Sequence, residues 1–228
     1  QLCAKEPDAY PTAGGEMIRG VHILPLASSY PGPTHSTNTF ILGEQDAVVV
    51  DPGTNTQVGS HSLIQYMKLM IHKGTTFRAL WLTHSNPAHI AAAKALSIQF
   101  GLPIVAHPEC AKRLPKEISI NSFFNDGDSF VLQLDNTRAA RWQVFHTPGI
   151  SPGHVVFYEM NQKHLISGNT VISVPLREIQ NKETDLNALK SSLNRLRKLP
   201  LGIIFPGHGP SIATGEQAIS RMLANLVP

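Results

Sequence analysis

A layered α/β fold is what the sequence predicts, on three observations. Short apolar runs alternate with amphipathic stretches between residues 47 and 114, as packed layers of strands and helices require. Strand-like runs at 141–146, 154–160 and 163–167 follow one another across links so short that they must pair antiparallel. No linker, repeat or low-complexity tract divides the chain, so residues 21–228 read as a single domain. Residues 1–20, rich in Pro, Gly and charge and without periodicity, read as an irregular N-terminal arm.

Taken in order, 21–26 and 38–42 are strands around a loop whose Pro31, Gly32 and Pro33 forbid a ladder. The turn 43–46 leads into the buried strand 47–50, which stops at Asp51-Pro52-Gly53. The stretch 57–72 predicts an amphipathic helix with Val58, His61, Leu63 or Ile64, Met67 and Ile71 on one stripe, its methionines in the core and Gly74 as its stop. A strand at 78–83, a helix at 87–100, a strand at 104–107 and a short helix from Pro108 to Leu114 follow. Asp126 and Asp128 lie in a turn before the strand 129–134. In 184–199, Leu186, Leu189, Leu193 and Leu196 form one stripe, with Asp185 early and Arg195, Arg197 and Lys198 late, matching the helix dipole. The strand 202–205 and a last helix from Gly215 to Leu226 complete the chain.

Composition limits the class. A hydrophobic share of 42% in 228 residues supports a substantial core. No apolar run approaches the roughly 20 residues that cross a bilayer, which predicts a soluble protein without membrane partners. With Gln at position 1, the natural start is expected to lie upstream. Two cysteines, Cys3 and Cys110, are too few for a disulfide scaffold and predict free thiols in an intracellular compartment, cytoplasm or organelle matrix. A net charge of +3 permits an acidic partner such as RNA, through Lys112, Arg113, Lys116 or the basic end of 184–199, without requiring one.

The chemistry centres on Thr83-His84-Ser85-Asn86-Pro87-Ala88-His89, where a strand ends and a helix begins. Two imidazoles five residues apart on such a turn can share one site. Further along stand Thr147-Pro148-Gly149, Ser151-Pro152-Gly153-His154, Ser167-Gly168-Asn169 and Pro206-Gly207-His208-Gly209-Pro210. With Asn38-Thr39-Phe40 and Val50-Asp51-Pro52-Gly53 these resemble, in order, the landmarks of the metallo-β-lactamase superfamily, in the branch of glyoxalase II and the lactamase-like endoribonucleases. The resemblance implies a four-layer αββα sandwich with a dinuclear zinc site at one edge. It further implies that His84, position 86 and His154 face one zinc, that position 88, His89 and His208 face the other, and that position 169 bridges.

Against that pattern the chain departs at three positions: Asn86 replaces a His, Ala88 an Asp and Asn169 the bridging Asp. Each zinc keeps two imidazoles, whereas a catalytic zinc normally holds three protein ligands and a water. Two Zn²⁺ ions at their usual spacing repel by on the order of 20 kcal/mol at an effective dielectric of ~20, and both offsetting carboxylates are gone. The expectation is therefore a pseudoenzyme without the dinuclear centre and without cofactor or catalytic residues, serving as a structural or assembly subunit of a larger complex or as a noncatalytic binding module. The alternative is a hydrolase of a thioester, ester or RNA phosphodiester that uses one zinc held by some of His84, His89, His154 and His208. Neither Ser85 nor Cys110 sits in the context of an activated nucleophile, and His107, at a strand end before a proline, reads as a packed or surface residue.

Overall fold

The computed structural model describes residues 14–30, 34–173, 175 and 180–226. Among the described residues, twelve strands lie in two sheets. The first sheet has the order β1-β2-β3-β4-β5-β6-β7: β1 (Gly15–Ile18), β2 (Val21–Ala27), β3 (Ser36–Gly43), β4 (Asp46–Val50), β5 (Thr76–Trp81), β6 (Ile104–Ala106) and β7 (Ser122–Phe123). It is an antiparallel meander as far as β4 and parallel from β4 onward. The second has the order β12-β11-β10-β9-β8: β8 (Ser129–Gln133), β9 (Ala139–His146), β10 (Val155–Glu159), β11 (Leu165–Gly168) and β12 (Ile204–Pro206). Only its β11–β12 pair is parallel.

Strand alternation assigns the layers. In β4, Val48 and Val50 face the second sheet with Phe40, Trp81, Trp142, Val144, Phe157 and Phe205. Ala47 and Val49 point the other way, toward α1 (Gln57–His72) and α3 (Ala93–Phe100) through Leu63, Met67, Met70, Ala93 and Leu96. The outer face of the second sheet packs Val156, Tyr158 and Leu165 on α5 (Leu186–Leu196) and α6 (Gly215–Asn225) through Leu189, Leu193, Leu196, Ile219 and Leu223. Helix, sheet, sheet, helix is the order of layers expected.

Several elements differ from the sequence reading. Gly15–Ile18, inside the presumed irregular arm, pairs with β2; residues 1–13 lie outside the described part. The buried face of α1 is Gly59, Leu63, Met67 and Met70, while Val58, His61 and Ile71 are exposed. Both flanks carry apolar residues, so packing rather than pattern selects the face. The helix expected over 87–100 is broken into α2 (Pro87–Ile90) and α3. The Ala92 N–H turns to Pro52 O at 2.9 Å, and the Ala88 carbonyl is pressed against Gly53, where a Cβ would lie 2.0 Å from it. That break sets His89 on its own short turn. In α5, Leu186 is exposed and Ser192 joins the buried stripe.

Asp185 starts α5 as read: its carboxylate accepts the N–H groups of Asn187 and Ala188 at 2.9 and 3.0 Å. Asp185→Ala is expected to lower stability by about 1 kcal/mol in urea titration, the usual worth of such a cap.

Candidate metal centre

Asp51 follows β4, His84 follows β5, His154 precedes β10, Asn169 follows β11 and His208 follows β12. Strand ends of both sheets therefore meet at one edge of the sandwich, where side chains leaving the ladders converge. Asp51, His84, His89, His154, Asn169 and His208 are all buried. Their rings touch: His84 and His89 centroids are 4.3 Å apart, His84 and His154 4.7 Å, His89 and His208 4.8 Å. All four surviving imidazoles thus belong to one cluster. Small residues make room for it, since a Cβ on Gly168 would lie 2.8 Å from His154 Nε2 and one on Gly207 2.5 Å from His89 Cε1.

Partner chemistry fixes where the protons sit. Asp51, held at φ +50, accepts Thr83 N–H at 2.8 Å on Oδ1 and Thr83 Oγ1–H at 2.6 Å on Oδ2. Having given its proton to Asp51, Thr83 Oγ1 accepts one from His84 Nδ1 at 2.8 Å. His89 Nδ1 donates to Asp51 Oδ2 at 3.1 Å, and His208 Nδ1 donates to Ser36 O at 3.0 Å. His154 Nδ1 lies 3.1 Å from Thr170 Oγ1 and donates to it. Every Nδ1 therefore carries a hydrogen, and every Nε2 presents a lone pair to the centre.

Asn169 fills half of those lone pairs. Its backbone N–H donates to His154 Nε2 at 3.0 Å and its side-chain Nδ2 to His84 Nε2 at 3.2 Å. Asn169 Oδ1 is left buried with no hydrogen-bond partner among the described residues. The other two lone pairs, on His89 Nε2 and His208 Nε2, face each other at 3.0 Å. Two bare lone pairs repel at that distance, which makes the space between them a natural place for a cation. Burial holds the His84 pKa far below its usual value, with the neighbouring histidines adding to it. Burial and then His89 push His154 down to about 3 and His208 to about 4.

At positions 86 and 88, Asn86 turns its Oδ1 to the Ala88 N–H at 2.9 Å as the cap of α2, and Ala88 offers a methyl. A dinuclear centre does not fit this donor set: neither carboxylate ligand is there, and Asn169 places N–H donors where two lone pairs would meet a metal. A single ion has closer candidates. Donor atoms of Asp51, His84 and His89 all lie within 4.8 Å of one another. Asp51 was read from the sequence only as a turn residue. Its signal was that it is the one carboxylate closing the apolar run Ala47-Val48-Val49-Val50. Thr83, Thr170 and the Ser36 carbonyl, which orient the rings, carried no signal of their own.

Other candidates take structural places. His107 caps α4 (Pro108–Ala111), accepting Glu109 N–H, and stacks on His146 at 4.0 Å. Cys110 is a buried free thiol whose pKa burial pushes up to about 12, so it supplies no thiolate. Lys112 and Arg113 pair with Glu109, Arg113 also with Glu183, and Arg195 with Asp126. No helix among the described residues is long and apolar enough to cross a membrane.

Comparison with known proteins agrees with this architecture. The profile of the metallo-beta-lactamase superfamily matches residues 31–208. The hydroxyacylglutathione hydrolase GloC of Haemophilus influenzae is 28% identical over 199 residues, spanning 80% of this chain and 89% of its own. The crystal structure of BLEG-1 B3 metallo-beta-lactamase superposes with a TM-score of 0.67 at 25% identity, covering 86% of this chain and 95% of that one. A metallo-beta-lactamase from Pontibacter korlensis reaches 0.78 at 20% identity, covering 92% and 96%, which speaks for the fold alone. With its hydrolase-like αββα sandwich and its candidate three-residue metal site, the chain belongs to the metallo-beta-lactamase superfamily.

Proposed function

We propose that this chain is a noncatalytic member of its superfamily, a pseudoenzyme that acts as a binding or assembly subunit for another protein. One observation carries the reading: Asn169 donates two N–H groups into the lone pairs of His84 and His154. An amide there does by hydrogen bonding what a metal ion would do by coordination, and it satisfies buried acceptors that would otherwise be costly. The nucleophile of such sites is a metal-bound hydroxide, and the departures at 86, 88 and 169 remove the ligands that would generate and hold it. Arg113 and Arg195 are engaged in ion pairs within the chain, which leaves them less free to hold RNA phosphates.

A second reading has its own observation. The facing nitrogens of His89 and His208, with Asp51 close by, suit one cation, and a single-zinc thioester hydrolase would accord with the similarity to GloC. Elemental mass spectrometry on protein purified without a metal-affinity tag separates the two. The expected result is well below one zinc per chain, no turnover of a hydroxyacyl-glutathione thioester, and co-purification in a larger assembly. One zinc per chain, with turnover lost in chelator and in His208→Ala, would establish the hydrolase instead.

A further inference from the structure

At the opposite edge of the sandwich the two sheets part around a cleft of about 460 Å³. It opens beside the start of β9 and the end of β10, whereas His146 and His154 lie at the other ends of those strands. Eight residues of β9 separate the two edges, about 25 Å of extended chain. Cavities of this size hold small organic ligands.

Its walls carry unspent N–H donors, and the one carboxylate among the lining residues, Glu159, is engaged by backbone N–H groups. Trp142, fully buried, lines the cleft, and its Nε1–H has no hydrogen-bond partner among the described residues. A buried donor without an acceptor is rare and calls for a partner. His164 Nδ1 accepts the Ile203 N–H, so this neutral, half-buried imidazole carries its hydrogen on Nε2. Arg19 and Arg138 stand at the rim, both anchored on Asp135. Asp135 itself is saturated, taking the Thr137 hydroxyl and the Thr137 and Arg138 N–H groups on Oδ1. Each guanidinium retains N–H groups beyond those bonds. The Glu159 carboxylate accepts the N–H groups of Arg141 and Gln162. Leu134 and the Trp142 ring supply apolar wall.

We propose that this cleft is a second binding site, for a small organic anion that sets an apolar body between the sheets and a carboxylate or sulfonate against Arg19 and Arg138, with an acceptor for Trp142. It is separate from the histidine cluster and holds whichever reading of that cluster is right.

The test is a pair of fluorescence titrations with 8-anilinonaphthalene-1-sulfonate and the uncharged N-phenyl-1-naphthylamine. The sulfonate is expected to bind at one per chain and about tenfold or more tighter than the neutral dye, as a charge-assisted guanidinium contact implies. Arg138→Glu should abolish that preference; its side chain is 58% exposed, so the fold survives. Trp142→Phe, which replaces the indole by a smaller aromatic ring without the N–H, should weaken the sulfonate more than the neutral dye. Equal affinity for both dyes, or sulfonate binding unchanged in Arg138→Glu, would overturn the proposal.

Discussion

Lowering the pH from about 6.5 to about 5.5 is expected to cost the metal-free protein about 3 kcal/mol of stability, and the next unit, down toward pH ~4, about 4 kcal/mol. Three buried imidazoles cause it. His84, His154 and His208 are held neutral in the fold, with pKa values far below 6.5 for His84, at about 3 for His154 and at about 4 for His208, while the unfolded chain titrates near 6.5. Because the folded values are depressed, the unfolded state binds more protons throughout the window from 6.5 down to about 4. The stabilisation is complete above 6.5 and is lost as the pH falls. Each group contributes a limiting slope of about 1.4 kcal/mol per unit, and the three act on one transition. A domain with the usual reserve of about 5–15 kcal/mol should therefore unfold in mild acid. Urea titrations in chelator at steps between neutral pH and pH ~5 measure the slope directly. A flat profile over that range would mean that the cluster takes up protons in place, against the burial and hydrogen bonding found for it.

The same cluster shows what a sequence can and cannot carry. The imidazoles at 84, 154 and 208 could be picked out because each stands beside a Gly or Thr at a strand end, and His89 because it lies five residues from His84. The role of Asp51 could not. It depends on Thr83 facing across from a neighbouring parallel strand, a register that no local pattern encodes. Nor could the two donations of Asn169, which need a backbone N–H and its own side chain aimed at different rings. Elsewhere α1 was read to its observed bounds from its periodicity and from Gly74 as its stop, yet its buried face was misjudged. Met70 and Ile71 are adjacent and both apolar, and only contact with the sheet decides between them. β1 gave no signal because its residues 15–18 are at most partly buried, and of its side chains Ile18 packs against the core between the sheets.

Asn169→Asp should convert the plugged cluster into one that wants a metal. The change is isosteric, leaves the backbone N–H on His154 in place and opens no cavity. It removes the donor to His84 Nε2 and puts a carboxylate oxygen against that lone pair. In chelator the variant is expected to be about 2 kcal/mol less stable than the parent, the cost of a lost buried hydrogen bond eased by a proton moving onto one of the pair. Added zinc should reverse the loss, since a carboxylate beside inward-facing imidazoles is a donor set zinc accepts, and ligand at a hundredfold over its Kd restores about 2.7 kcal/mol. The parent should show no such gain. Denaturation midpoints of both proteins with and without zinc give the four values needed. If zinc stabilises the parent as strongly as the variant, Asn169 is not what keeps metal out, and the facing pair His89 and His208 becomes the place where a single ion binds.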